Sequence, residues 1–79
     1  MKIKILGAGC NRCMTLEQNV RTLAAKNSLD AEIEKVTDIQ EMIKYGIMRT
    51  PALVINDKLK SSGVIPQDDQ ILSWIMEEK

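Results

Sequence analysis

The sequence predicts an α/β fold of order βαβαββα, a compact four-stranded mixed sheet flanked by helices, and three stretches carry that prediction. Lys2 to Leu6 alternates Ile3 and Ile5 with Lys2 and Lys4, as a strand does, and Gly7-Ala8-Gly9 then lets the backbone turn into a helical run. Ala52-Leu53-Val54-Ile55 is a short apolar run of the kind buried in sheets, and Asn56-Asp57 after it reads as a hairpin turn. From Pro66 or Gln67 to Glu77, the residues Ile71, Leu72, Trp74, Ile75 and Met76 place apolar groups over much of a final helix.

The remaining elements follow in order. Cys13, Leu16, Val20, Leu23 and Ala24 recur at helical spacing while Glu17, Arg21 and Lys26 fall elsewhere, which predicts a helix over 11–26 ended by Asn27-Ser28. Ala31 to Val36 reads as the second strand. Thr37-Asp38-Ile39-Gln40 matches a capping box before Ile39, Met42 and Ile43, and Gly46 suits a left-handed cap at the end of that short helix. Lys58 to Ser62 returns as an edge strand whose lysines discourage pairing with another sheet, and Gly63 ends it. The first two strands are expected to run parallel with a right-handed crossover, and the hairpin to supply an antiparallel pair. No repeat, low-complexity tract or linker interrupts 1–79, which reads as one domain.

Composition removes several function classes. The 79 residues carry 11 basic and 11 acidic side chains without a basic cluster, so the electrostatic footprint of a nucleic-acid binder is missing. The N-terminus interleaves lysines where a signal peptide would have a continuous apolar core, and no stretch approaches the roughly 20 apolar residues of a membrane span. The expectation is a soluble, cytoplasmic protein with neither a nucleic-acid nor a membrane partner. In a reducing cytosol a lone Cys-x-x-Cys points to redox or metal chemistry more than to a permanent staple.

That motif, Cys10-Asn11-Arg12-Cys13, holds the only two cysteines. Cys10 is expected at the start of the first helix, where unpaired amide N–H groups and the positive end of the dipole favour a thiolate, with Arg12 adding positive charge and the preceding glycines leaving the sulfur accessible. Cys13, one turn on and in line with Leu16 and Val20, is expected to be more buried. These placements assign Cys10 as the attacking thiolate and Cys13 as the resolving thiol. An inert clip is the poorer explanation, because a two-residue loop removes little chain entropy. A structural zinc site wants four ligands, and the chain offers two cysteines and no histidine. Copper(I) can be held by two thiolates, so a small copper carrier is the main competitor. A non-catalytic redox sensor, with a groove of Gly9, Cys10, Thr50 and Pro51 read by a partner, is the third possibility.

With Gly7-x-Gly9-Cys10-x-x-Cys13 near the N-terminus and Lys44-Tyr45-Gly46-Ile47-Met48-Arg49-Thr50-Pro51-Ala52-Leu53 about forty residues later, the chain resembles the small archaeal and bacterial thioredoxin-like, or redox-active disulfide, family. The two motifs and the element order cover nearly its whole length. The resemblance implies a thioredoxin-like fold and a protein disulfide oxidoreductase with catalytic Cys10 and Cys13. It further implies a cis Pro51 packed beside the disulfide, with the backbone of Thr50 pairing to a substrate strand, and Gly9, Asn11 and Arg12 completing the substrate-binding surface. No bound organic cofactor or metal is expected. Protein disulfides would be the substrates, a separate reductase the electron donor, and the protein a monomer.

Departures from the thioredoxin pattern set bounds on this. No tryptophan precedes Cys10, and Asn11-Arg12 replaces Gly-Pro, so neither potential nor substrate choice carries over. Lys4 stands at about the position of the buried acid of thioredoxins. It could tune proton loss at Cys13, although a lysine reaching past the sheet end into solvent is the favoured reading. Ser61-Ser62-Gly63 offers one glycine where glutaredoxins place a pair, which counts against glutathione dependence. Copper chaperones carry methionine two residues before the first cysteine and follow βαββαβ order; here that position is Ala8 and the chain ends in a predicted helix. The scattered Met1, Met14, Met42, Met48 and Met76 read mostly as core filler, and Trp74 as packing for the last helix.

Overall fold

A computed structural model describes residues 1–7, 11–47 and 49–78. Its elements are β1 (Lys2–Leu6), α1 (Asn11–Lys26), β2 (Glu32–Val36), α2 (Ile39–Lys44), β3 (Ala52–Ile55), β4 (Lys58–Ser62) and α3 (Asp68–Glu77). The sheet order is β2-β1-β3-β4, with β1 and β2 parallel and the other neighbours antiparallel. The mixed four-stranded sheet and its three helices form a thioredoxin-like α/β fold. β2 begins one residue later than expected, because β1 starts at Lys2 and its partner in the register is Glu32.

β1 and β3 lie in the middle of the sheet, so every residue of β3 is buried on one face or the other. Ile3, Ile5, Leu53 and Ile55 point to the face covered by Leu16, Val20 and Leu23 of α1 and Ile71 and Ile75 of α3. Leu6, Ala52 and Val54 point the other way, to Val36 and to Met42 of α2. Burying a side chain of this size contributes roughly 1.5–3 kcal/mol, and the α1/α3 face holds most of that material. All five residues of the predicted α1 stripe are buried, and Trp74 packs partly against the same cluster.

The ends of the helices are set by local chemistry. α1 stops where Leu29 N donates to Ala24 O (2.9 Å) and Ser28 N to Ala25 O (3.3 Å), with Ser28 at φ +50°. α2 closes in the same way through Gly46, at φ +70°, with bonds of 3.0 Å from Gly46 N to Ile43 O and from Ile47 N to Met42 O. Its start differs from the capping-box reading. Asp38, not Thr37, is the N-cap, and its carboxylate accepts from Gln40 N at 2.9 Å. Asn56 and Asp57 both have positive φ, 50° and 66°, as a tight two-residue hairpin requires. The methionines do not form a common core: Met42 is buried and Met1 partly so, whereas Met14 and Met76 are more than half exposed.

Candidate active site

Cys13 is the third residue of α1 and lies on its buried stripe, 1% exposed. Its neighbour is the end of β1. Gly7, held by a 2.9 Å bond from its N–H to Val36 O, lies so near that a Cβ there would overlap Cys13 Sγ. The same point is 3.6 Å from Thr50 Cβ. Cys13 Sγ therefore fills the space a side chain on residue 7 would take, close to Thr50, and only glycine leaves that space open.

Thr50 is half-buried, Pro51 is fully buried, and the peptide bond between them is cis. This corner is anchored from the end of β4. Gly63 N donates to Pro51 O (2.9 Å), and Ser62 Oγ donates to Arg49 O (2.8 Å). Gly63 adopts φ +79°, and a Cβ on it would fall 2.8 Å from Arg49 Cβ, so the Arg49 stem lies against its bare backbone. On the other side Arg12 Nη2 donates to Gly63 O at 2.9 Å, linking the first turn of α1 to the loop after β4.

Among the residues singled out from the sequence, Cys13, Arg12, Thr50 and Pro51 are thus brought to one corner. Asn11 is exposed at the start of α1, its carbonyl accepting from Thr15 Oγ at 3.0 Å. Cys10 and Gly9 lie outside the described residues, as does Met48. From the sequence, Gly7 and Arg49 entered only as members of the two motifs, and Gly63 only as a strand end and as one glycine where glutaredoxins place a pair, so their packing at this corner was not foreseen. A glycine closing a strand three residues before a cysteine was the available signal for Gly7.

Lys4 does not belong to the corner. Its cross-strand partner is Val54, on the α2 face, whereas Cys13 packs with the α1 stripe on the other face. Lys4 Nζ donates to Tyr45 OH (3.3 Å) and lies 5.6 Å from the ring centroid, and Tyr45 OH donates to Asp57 Oδ1 (3.0 Å). The Tyr45 hydrogen bond, aided by the charges of Glu41 and Asp57 against a smaller burial effect, raises the Lys4 pKa above its ordinary value. Among the described residues no three His, Cys, Asp or Glu side chains cluster as a metal site would need, and no helix is long and apolar enough to cross a membrane.

The sheet order, the layering and the corner at Cys13 define the thioredoxin-like class of α/β proteins. The thioredoxin domain family matches residues 1–76. A thioredoxin of Methanothermobacter thermautotrophicus is 34% identical over 71 residues, covering 90% of this chain and 92% of the relative. A thioredoxin of Methanocaldococcus jannaschii is 35% identical over 69 residues, covering 87% of this chain and 79% of the relative. The chain belongs to the thioredoxin family and at that level is a thioredoxin-like redox protein.

Proposed function

We propose that the protein is a thiol–disulfide oxidoreductase that reduces protein disulfides through Cys10 and Cys13. The Cys10 thiolate attacks one sulfur of the substrate disulfide, that S–S bond breaks, and the first substrate thiolate leaves and takes up a proton. The Cys13 thiol gives up its proton and attacks the Cys10 sulfur of the mixed disulfide. A Cys10–Cys13 disulfide forms, the second substrate thiol is released, and two electrons have passed to the substrate. Thr50, through its backbone, and Pro51, Gly9, Asn11 and Arg12 form the surface along which the substrate lies. A separate reductase returns the two electrons, and the protein acts as a cytoplasmic monomer, a single domain without an organic cofactor or metal.

The observation that carries this reading is the burial of Cys13 against Gly7 beside Thr50 and Pro51, in a chain matched to the thioredoxin family over 76 residues. A resolving thiol is best kept from foreign disulfides while staying within reach of its own partner, and burial in the first turn of a helix accomplishes that. The test is turnover of a soluble protein disulfide with dithiothreitol as donor. The expected result is catalysis by the wild type, none by Cys10→Ser, and an accumulating mixed disulfide with Cys13→Ser. Thiols that resist redox cycling while the metal-free protein takes up one Cu⁺ tightly would replace this reading with a metal carrier.

A further inference from the structure

Two arginines bracket the corner, and among the described residues neither is ion-paired to a carboxylate. Arg12 precedes Cys13 and reaches Gly63 O through Nη2, while Arg49 precedes Thr50 and lays its stem along the same glycine. Both are exposed. The ion pairs among the described residues are Arg21–Glu17, Lys44–Glu41, Lys58–Glu78 and Lys60–Glu78, so the carboxylates answer other cations. Arg12 has five N–H donors, and a neutral carbonyl engages its fork without cancelling its charge. Overall neutrality, 11 charges of each sign, therefore hides two cations gathered at Gly63, next to the Thr50-Pro51 bond. Val64, more than half exposed, follows Gly63 in the chain and adds apolar surface of a kind that peptide side chains cover.

Building on the dithiol reading above, we infer that the preferred substrates are peptide disulfides whose cysteine is flanked by carboxylates. Arg12 and Arg49 receive those groups on either side of Gly63. The electron and proton balance of the exchange is unchanged; the arginines speed encounter and hold the acidic segment in register with the attacking sulfur. An arginine fork suits this because it pairs with a carboxylate through two parallel N–H donors.

The test uses symmetrical disulfides of short peptides in which cysteine is flanked by Glu, Gln or Lys. Single-turnover exchange with the fully reduced protein is followed, each rate divided by that of dithiothreitol with the same peptide to remove leaving-group effects. At low ionic strength the Glu peptide is expected to react roughly tenfold faster than the Lys peptide, with Gln between them. At about 0.5 M salt the preference should shrink to about twofold. Arg12→Gln with Arg49→Gln should bring the ratio near one, whereas the charge-keeping Arg12→Lys with Arg49→Lys should retain most of it. Circular dichroism verifies folding, and the single Gln variants give the same comparison if the double variant does not fold. A wild-type ratio near one, or a full preference in the folded Gln variants, overturns the inference. Stoichiometric exchange occurs at any accessible thiolate. Charge preference without turnover of protein disulfides would therefore support the arginine assignment while removing the catalytic reading.

Discussion

At Gly7 the missing side chain is a requirement of Cys13, because any Cβ there meets the sulfur. Gly7→Ala must push back the thiol or α1, and overpacking of this kind costs about 1–3 kcal/mol. A drop in the urea midpoint at unchanged slope would register it; an unchanged midpoint would mean the sulfur has somewhere else to go. The two positive-φ glycines, Gly46 and Gly63, provide a graded comparison. Gly46 has open space where a Cβ would stand, so Gly46→Ala should cost only the left-handed conformation, about 1–2 kcal/mol. Gly63 has the same conformational demand and Arg49 against it besides, so Gly63→Ala should be the more damaging of the two by about 1 kcal/mol or more. Denaturant midpoints of both variants decide the order, and equal losses would show that the Arg49 stem simply swings aside.

Among the elements, α2 depends most on its ends, since its six residues are too few to hold a helix by propensity alone. Asp38→Ala should cost about 0.5–2 kcal/mol, whereas Thr37→Ala should be nearly neutral, and thermal midpoints of the pair would separate the two caps. Thr37-Asp38-Ile39-Gln40 offers two residues able to cap, and the reciprocal Thr/Gln pattern pointed to the wrong one. α1 shows the opposite case. Its boundaries were legible because a five-residue apolar stripe has one period and one buried face, and both the stripe and the burial of Cys13 follow from it. Strand alternation showed that Lys4 and Ile5 face opposite ways, but not which face α1 would cover, so the side occupied by Lys4 could not be read. The Arg12–Gly63 bond joins residues 51 apart, and the Arg49 stem finds its glycine across the hairpin. Such contacts leave no local pattern, which is why the burial of Cys13 was readable and the meeting of Arg12 and Arg49 at Gly63 was not.

On the scale of the whole molecule, Ile71 and Ile75 pack the last helix into the core and one carboxylate ties its end to the edge strand. Glu78 follows α3 and meets Lys60 Nζ at 2.9 Å and Lys58 Nζ at 3.2 Å on the edge strand, while its carbonyl accepts from Asn56 Nδ2 at 3.2 Å. The hydrogen bond from Lys60, then that from Lys58, lowers the Glu78 pKa in the folded state. A depressed carboxylate pKa contributes stability that is present above the unfolded value, about 4.3, and is lost as pH falls through the folded value. Lys4 contributes in the opposite sense at the alkaline end. Its raised pKa gives stability that is full below its unfolded value, about 10.4, and lost as pH climbs through the folded one. Between those limits both contributions persist, so neutral pH lies on a plateau for these two groups. Glu78→Gln removes the acid-side contribution while keeping nearly the same shape. Its thermal midpoint should therefore lie below that of the wild type at pH 7, and the gap should narrow as pH falls from about 5 to about 3, where the wild-type carboxylate also becomes neutral. A gap of constant size across that range would show that Glu78 fastens α3 by packing and not by charge.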